Sequence, residues 1–226
     1  MLRERKSMMF GAVILSVLTG LAGSSMAQEN PQEYYEKGVE LMQEGDTDGA
    51  VQSFLKAREL APYVPYVHNA LGLAYLQEKE NIEDAIASFE QAIRLDPKFV
   101  DAYCNLGIAH SSIGYDTAMA EEYYHKAIAL KPGYYRAYFG LGWIQIVRNN
   151  NPRRSVQDFE IAVKNSPSYA EADFYLGLAY IMSAQKHKAL RPISALRSLG
   201  KEDLALTLEA VINDDPSSVK EKIIQE

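Results

Sequence analysis

The sequence has few of the residues from which catalytic, metal and disulfide sites are commonly built. Its 226 residues include one cysteine, one tryptophan and four histidines. A single cysteine, Cys104, excludes an intramolecular disulfide and any zinc or iron–sulfur site that needs several thiolates. Because free cysteine is among the most buried residue types, we predict that Cys104 is a buried and unreactive thiol.

Positive charge is also scarce. The chain carries 23 Lys and Arg residues against 30 Asp and Glu residues, a net charge of −7. This balance argues against nucleic-acid binding by broad phosphate neutralisation. Two basic spots remain, Arg153-Arg154 and the stretch 186–197. We interpret both as solvated helix faces, with a docking site for an acidic partner as the alternative.

The motifs of common enzymes are missing as well. There is no His-Glu-x-x-His pair, no nucleophile-elbow serine and no phosphate-binding loop. The acidic segment 44–49 resembles the start of a calcium loop, but Leu55 stands at the twelfth position, where a bidentate glutamate is required. We therefore expect no catalytic residues, no metal and no cofactor, and a protein that is not an enzyme.

Apart from the N-terminus, no apolar run is long enough to cross a membrane. Residues 1–27 combine a basic start at Arg3, Arg5 and Lys6, an apolar run over 8–23 and the small residues of Ser25-Met26-Ala27. This pattern resembles a bacterial secretory signal peptide cleaved after Ala27. The apolar run is short for a bilayer span of about 20 residues, so an uncleaved anchor is the alternative. We expect a periplasmic or secreted protein, with a Gram-negative bacterium as its source.

The chain does contain a strong internal repeat. Glycines recur every 34 or 35 residues, at Gly38, Gly72, Gly107, Gly142 and Gly177. Prolines recur every 35 residues, at Pro62, Pro97, Pro132 and Pro167. Between each glycine and the next proline a small–aromatic–small pattern recurs, at Ala50-Phe54-Ala57, Ala85-Phe89-Ala92, Ala120-Tyr124-Ala127 and Ser155-Phe159-Ala162. A repeat of this length is typical of a solenoid or another repeat architecture.

Elementary helix geometry explains this pattern. The spacing i, i+4, i+7 places the small and aromatic residues on one face of a helix. A glycine on the preceding helix lets the two helices approach closely, which offsets its cost of about 1 kcal/mol inside a helix. The proline cannot continue the hydrogen-bond ladder and follows the second helix. Each unit is thus predicted to be a pair of helices.

The units resemble the tetratricopeptide repeat family, as in YYEKGVELMQEGDTDGAVQSFLKARELAP and HNALGLAYLQEKENIEDAIASFEQAIRLDP. The resemblance implies an all-α protein, a right-handed α-solenoid of helix-turn-helix repeats over 31–199. We assign repeats to 31–64, 65–99, 100–134 and 135–169, with a partial repeat at 170–199. Residues 200–226 are then capping helices, since a solenoid needs an atypical terminal unit.

The partial fifth unit begins in phase and then diverges. Gly177 is in phase, but we expect Pro192 to interrupt the second helix and Ile193 to replace the aromatic residue. Gly200 indicates a helix stop, followed by a helix over 202–214 and a short last helix over 219–225. We interpret this divergent end as the cap of the solenoid.

In this family, partner segments usually lie in the concave groove formed by the first helices. Carrying the lining positions over by phase gives a set rich in aromatic residues: Tyr35, Tyr66, Asn69, Leu73, Asn105, Arg136, Phe139, Trp143, Phe174 and Tyr175. The same phase adds several others, among them Cys104, Ile146, Leu178 and Ile181. An exposed apolar patch usually marks an interaction surface, and aromatic anchors dominate interface energies. The alternative is that individual members pack against the neighbouring repeat.

Some family members grip a partner's C-terminal carboxylate with a clamp of Lys, Asn, Asn, Lys and Arg. The corresponding slots here hold Asn69, Leu73, Asn105, Arg136 and Gly140. Only Asn105 and Arg136 match, so the clamp is too incomplete to predict this mode. Docking of an apolar helix or extended segment fits the aromatic set better.

These features favour a non-enzymatic scaffold of the cell envelope that binds a protein partner and supports assembly of a larger complex. The alternative is a regulatory or accessory subunit of an envelope enzyme of the cell-wall or cytochrome-maturation type. A third hypothesis, that the protein is itself an enzyme, is disfavoured by the absent motifs. Nucleic acid is not expected as a partner, nor is a membrane span after signal cleavage. Self-association through the open end of the solenoid is a further option. The sequence does not identify the partner.

Overall fold

A computed structural model describes residues 29–77, 81–112 and 116–213. This part of the chain contains eleven α-helices, one 3₁₀-helix at Lys186–Ala189 and no strand. The helices are α1 Pro31–Glu44, α2 Thr47–Leu60, α3 Pro65–Gln77, α4 Ile82–Leu95, α5 Val100–Ser112, α6 Thr117–Leu130, α7 Tyr135–Val147, α8 Pro152–Asn165, α9 Ala170–Met182, α10 Leu190–Ser198 and α11 Glu202–Val211. The predicted signal peptide over 1–27, its cleavage after Ala27 and the predicted helix over 219–225 lie outside the described residues.

The helices pack as consecutive pairs. Helices α1 and α2, α3 and α4, α5 and α6, and α7 and α8 make the most extensive contacts, and each second helix also packs on the first helix of the next pair. First helices of successive pairs touch one another, whereas successive second helices make few contacts or none. The stack therefore curves with the first helices on its inner side. The prediction of an all-α solenoid is confirmed.

Each of the four assigned repeats contains one such pair. The prolines Pro62, Pro97, Pro132 and Pro167 lie two residues beyond the ends of α2, α4, α6 and α8. Two residues separate α1 from α2, while four separate the two helices in each of the next three pairs. No helix in the described ranges is long and apolar enough to cross a membrane.

The repeated glycines face the repeated aromatic rings. A Cβ atom built on Gly72 would lie 2.6 Å from Cε1 of Phe89, and one on Gly107 would lie 2.6 Å from Cε1 of Tyr124. Gly38 and Gly142 face Phe54 and Phe159 in the same way. These distances are far below van der Waals contact, so only glycine allows the paired helices to approach this closely.

The divergent end corrects two sequence predictions. Pro192 does not interrupt a helix: it lies in the first turn of α10, where backbone N–H groups have no intrahelical partner and proline is tolerated. The side chain opposite Gly177 is not Ile193 but Leu208 of α11, whose Cδ1 lies 2.5 Å from where a Cβ would stand. Leu208 and Ile193 are both buried, so α10 and α11 together cover α9.

Candidate partner-binding groove

Two openings on the inner face of the solenoid are lined by residues that the structure describes. We call the first, between α1 and α3, the α1–α3 pocket, and the second, between α5 and α7, the α5–α7 cavity. A chain of polar side chains on α3, α5 and α7 connects them. Six of the ten predicted groove residues line one opening or the other: Tyr35, Asn69, Leu73, Arg136, Phe139 and Trp143.

The α1–α3 pocket has a volume of about 270 Å³ and no charged residue among its described lining. Tyr35 forms one wall, and its ring meets Tyr66 edge to face at a centroid distance of 4.9 Å. Tyr66 itself is 44% exposed, and its hydroxyl donates to Gln32 Oε1 at 3.4 Å. Helix phase places these rings together because positions 35 and 66 lie on facing first helices. The pocket is an open and mainly apolar surface, and a partner-binding role for its residues stays a prediction.

The α5–α7 cavity is larger, about 490 Å³. Its described lining combines aromatic, small and basic residues: Ile108, Ser111, Ser112, Tyr124, Arg136, Phe139, Gly140, Trp143, Arg148 and Tyr169. Gly140 makes room for the ring of Tyr124, because a Cβ at this position would lie 2.3 Å from Cζ of that ring. The corresponding positions of the neighbouring units hold Asn105 and Tyr175, whose side chains occupy volume there.

The described lining of the α5–α7 cavity includes charged side chains. Two guanidinium groups, Arg136 and Arg148, line it, and none of its described lining residues is acidic. The guanidinium carbon of Arg148 lies 5.7 Å from the centroid of the Trp143 ring, within the range of a cation–π interaction. Stacking of this kind orients a planar guanidinium group at the edge of an aromatic surface.

Polar side chains form a hydrogen-bonded chain across three helices. Asn105 Nδ2 donates to Asn69 Oδ1 at 2.8 Å, and Arg136 donates to Asn105 Oδ1 at 3.3 Å. Arg136 Nη1 also lies 3.6 Å from Asp101 Oδ1, which accepts from the Tyr134 hydroxyl. Burial and the bond to this carboxylate raise the pKa of Tyr134. The chain fixes the positions of α3, α5 and α7 relative to one another.

This arrangement corrects the prediction for Asn105. Its side chain has no exposed surface, and both ends of its amide are bonded within the protein. Asn105 therefore supports the groove from beneath and does not line it. The two residues that match the family's carboxylate clamp, Asn105 and Arg136, are bonded to each other, so the structure gives no open clamp at these positions.

Phe174 and Tyr175 pack against other aromatic rings and are absent from the described lining of both openings. Phe139 meets Tyr175 at a centroid distance of 5.5 Å and Tyr169 at 5.2 Å. Tyr175 stacks on Phe159 at 5.9 Å and touches Phe174 at 5.5 Å. This aromatic cluster joins α7, α8 and α9, and two of its members, Phe139 and Tyr169, line the α5–α7 cavity. A partner-binding role of Phe174 and Tyr175 stays a prediction.

Other positions carried over by phase are buried. Ile146, Leu178 and Ile181 lie in the core between repeats, so the prediction that they line the groove is wrong. Cys104, which phase places on the same face, is also fully buried. Burial raises the pKa of its thiol to about 12, so hardly any thiolate forms at neutral pH. The prediction that Cys104 is buried is confirmed, and its raised pKa supports the prediction of an unreactive thiol.

The described residues hold no cluster of three or more His, Cys, Asp or Glu side chains that could bind a metal. The acidic turn that resembles a calcium loop has a structural role: Asp46 Oδ1 accepts from the backbone N–H of Gly49 at 2.9 Å and caps α2. His68 donates from Nε2 to the carbonyl of Pro62 at 2.8 Å, and His110 stacks on Tyr123 at 5.3 Å. These groups are engaged in packing and capping.

Two lining residues of the α5–α7 cavity could not be predicted from their position in the repeat. Arg148 is the C-cap residue that follows α7, and Tyr169 is the N-cap residue that precedes α9. The phase argument considers positions inside first helices and therefore misses both. Gly140, a second glycine two residues before Gly142, is the sequence feature that could have indicated the cavity, because it places no side chain on the inner face.

An all-α stack of helix pairs with a recurring glycine-to-ring contact defines the class of helical-repeat solenoids. Family models described as TPR repeat and tetratricopeptide repeat match residues 33–63, 77–114, 100–134 and 147–189, together more than half of the chain. The chain belongs to the tetratricopeptide repeat (TPR) family. This fold is a protein-interaction scaffold and is generally not an enzyme.

Solved structures agree with this assignment. A crystal structure of MamA protein is 26% identical, covers 76% of this chain and 93% of its own, and superposes with a TM-score of 0.56. TTC0263, a thermophilic TPR protein in Thermus thermophilus, is 17% identical with a TM-score of 0.69, covering 81% of this chain and 99% of its own. YrrB, described as a TPR protein with an unusual peptide-binding site, is 22% identical with a TM-score of 0.53, covering 78% and 90%. The last two show the fold alone. No protein of curated function gives a significant match.

Proposed function

We propose that this protein is a non-enzymatic interaction scaffold of the cell envelope. It binds an apolar helix or extended segment of one partner in its concave groove and supports assembly of a larger complex. The observation that carries the proposal is the pair of open pockets on one inner face, each lined by aromatic and apolar side chains. Residues 1–27, which resemble a signal peptide, support the cellular location.

The groove has the properties of a binding surface. Its rings are held in place by neighbouring rings, such as Phe139 against Tyr169 and Tyr35 against Tyr66, so little side-chain entropy is lost on binding. Partly exposed aromatic residues of this kind act as anchors at interfaces. A segment that spans both pockets would place apolar side chains in each and its backbone over the polar chain between them.

The proposal is tested by removing the two rings of the α5–α7 cavity. We expect the double variant Phe139→Ala and Trp143→Ala to lose the partner that the wild-type protein retains in affinity purification from its native envelope, measured by quantitative mass spectrometry. Tyr63→Ala is the matched control, because Tyr63 is 82% exposed and lines neither opening. Retention of the same partner by the double variant contradicts the proposal.

Phe139 also packs in the aromatic cluster, so a second variant separates binding from folding. Ser112 lies at the exposed rim of the cavity. Ser112→Phe fills the opening without removing any core atom, and we expect it to lose the partner while circular dichroism and thermal unfolding stay at wild-type values. Unchanged capture by this variant would speak equally against the groove.

A further inference from the structure

The polar chain on α3, α5 and α7 has a direction, and its last side chain, Asn69, lines the α1–α3 pocket. The function proposed above leaves a helix and an extended segment as alternatives. Resting on that function, we propose that the partner segment is extended where it crosses the α1–α3 pocket. It places one uncharged apolar side chain in the pocket, and the side-chain amide of Asn69 donates to the neighbouring backbone carbonyl.

Arg136 fixes the orientation of both amides in the polar chain. A guanidinium group donates hydrogen bonds and cannot accept them. Arg136 Nη2 lies 3.3 Å from Asn105, so the end of the Asn105 amide that faces Arg136 is its oxygen. The NH₂ group of Asn105 therefore faces Asn69, at 2.8 Å, and requires an oxygen there. The free end of the chain is then the NH₂ group of Asn69, a hydrogen-bond donor.

This NH₂ group is a largely buried donor. Asn69 is 9% exposed, and its one hydrogen bond within the described residues is the bond that its oxygen accepts from Asn105. The Asn69 side chain lines the α1–α3 pocket together with Ala70 and Leu73. Because a buried donor without an acceptor is unfavourable, the pocket favours a ligand that supplies an oxygen atom.

The rest of the pocket favours an uncharged apolar side chain. Val39, Met42 and Leu73 are aliphatic, Tyr35 and Phe54 contribute rings, and no residue of the described lining is charged. Burial of a charge without a partner is costly, so a charged side chain is disfavoured here. A cavity of about 150 Å³ holds a benzene molecule, so a pocket of about 270 Å³ accommodates a side chain of the size of leucine.

The need for an oxygen atom decides the conformation of the bound segment. In an α-helix, each interior carbonyl already accepts from the N–H group four residues further on. In an extended segment, the carbonyls point sideways and are free to accept, while side chains alternate between the two faces. Main-chain bonds then provide affinity, and a pocket for one side chain provides specificity. An extended segment therefore satisfies the donor and the apolar walls together, whereas a helix satisfies the walls alone.

The experiment titrates the purified, ¹⁵N-labelled protein with three peptides that contain a single leucine. The first is acetyl-Thr-Thr-Leu-Thr-Thr-amide, the second presents leucine on a hydrocarbon-stapled alanine helix, and the third is acetyl-Thr-Thr-Leu with a free carboxylate. We expect saturable binding of the first peptide and a Kd about tenfold higher for each of the other two. The side-chain NH₂ resonances of Asn69 should move downfield with the first peptide, because they gain an acceptor. They are identified as the pair that is missing from the spectrum of Asn69→Asp.

Asn69→Asp also removes the donor while it keeps the acceptor. The carboxylate still accepts from Asn105, so we expect the helix content measured by circular dichroism to stay at the wild-type value. The Kd of the first peptide should rise about tenfold at about pH 8, where the carboxylate is ionised. Gln43→Glu is the matched control, because Gln43 is an exposed amide of the same lining and the change adds the same charge. It should keep the Kd within about twofold of the wild-type value, since water screens an exposed charge.

The proposal is overturned by equal affinity for the extended and helical peptides, by a preference for the free carboxylate, or by Asn69 resonances that do not move. It is also overturned by unchanged affinity in Asn69→Asp, by an equal loss in Gln43→Glu, or by no saturable binding up to millimolar peptide. In each of these cases, partner capture that still depends on Phe139 and Trp143 leaves the scaffold function standing. Partner capture that does not depend on these rings removes the scaffold function itself, whatever the peptides do.

Discussion

At the scale of single residues, the glycines of the first helices determine how closely each helix pair packs. Gly72 faces the ring of Phe89, which has no exposed surface. Alanine is the better helix former by about 1 kcal/mol, so helix propensity alone would favour Gly72→Ala. Overpacking of a close-packed core costs about 1–3 kcal/mol, and the buried ring has no solvent to move into. The packing cost therefore exceeds the gain in propensity.

We expect Gly72→Ala to lower the free energy of unfolding by about 2 kcal/mol, measured by urea denaturation. The matched test is the pair Gly72→Ala with Phe89→Leu, in which a smaller side chain makes room for the new methyl group. The double variant should lose less than the sum of the two single variants. A Gly72→Ala protein as stable as the wild type would show that the helix pair can move apart without cost.

Two buried carboxyl groups make stability depend on pH. Burial raises the pKa of Asp158 to about 6 from an ordinary value of 3.8, although Arg154 Nε lies 3.7 Å from its carboxylate. Burial likewise raises the pKa of Asp173 to about 6, opposed by the charge of Arg191. The folded state binds both protons more tightly than the unfolded chain does. Their contribution to stability is therefore fully present below pH 3.8 and is lost as pH rises to about 6.

We expect these two groups to make the free energy of unfolding larger at about pH 5 than at about pH 7. Asp158→Asn should reduce this difference and should not destabilise the protein at neutral pH, because the amide carries no charge to bury. Denaturation at a series of pH values measures both effects. Glu40→Gln, at an exposed position of α1, is the control and should keep the wild-type difference. An unchanged pH profile in Asp158→Asn would contradict the assignment.

At the scale of helices, the buried amide of Asn105 connects α5 to both of its neighbours. Asn105→Ala would leave Asn69 Oδ1 without the donor it has now and Arg136 without one of its acceptors. An unsatisfied buried polar group costs about 1–3 kcal/mol. We expect a loss of about 2 kcal/mol in urea denaturation, and a smaller added loss when Asn69→Ala is combined with it, because the partner is then already absent. Strict additivity of the two variants would show that the bond contributes nothing.

The sequence is sufficient to predict the helix pairs, because each pair repeats the same core positions. Phase also places Tyr35, Leu73, Phe139 and Trp143 on the inner face, where they line the pockets. It cannot distinguish a side chain at the surface of that face from one beneath it, which is why it fails for Asn105 and Ile146. Arg148 belongs to a turn, and the positions of turn residues do not recur from one repeat to the next in the way that helix positions do.

At the scale of the whole molecule, the core is a series of clusters along the stack and not a single centre. One cluster joins α1, α2 and α3, another surrounds Tyr124, and the largest covers the last helices, ending at Leu208 and Val211. In such a fold, stability is nearly a sum of units and of contacts between nearest neighbours. Damage at one end should therefore stay local.

This locality is testable at Leu208. Large-to-small substitution of a fully buried leucine costs about 3 kcal/mol. In Leu208→Ala we expect faster amide hydrogen exchange in α9, α10 and α11, with unchanged protection in α1 to α4. Leu206→Ala, on the same helix but 51% exposed, should exchange like the wild type. Uniform loss of protection along the chain would mean that the solenoid unfolds as one cooperative unit.

The contact between Gly177 and Leu208 also limits how the array can change in length. In the four preceding pairs, the ring that meets the glycine comes from the next helix. Each of these units therefore contains both residues of its glycine-to-ring contact. At Gly177 the opposing side chain lies two helices further on, in α11. A duplicated unit inserted before Gly177 would bring its own glycine and ring, whereas one inserted after it would separate Gly177 from Leu208. The number of repeats can thus vary on the N-terminal side of Gly177 but not between Gly177 and Leu208. The two ends of the solenoid therefore differ in their tolerance of added repeats.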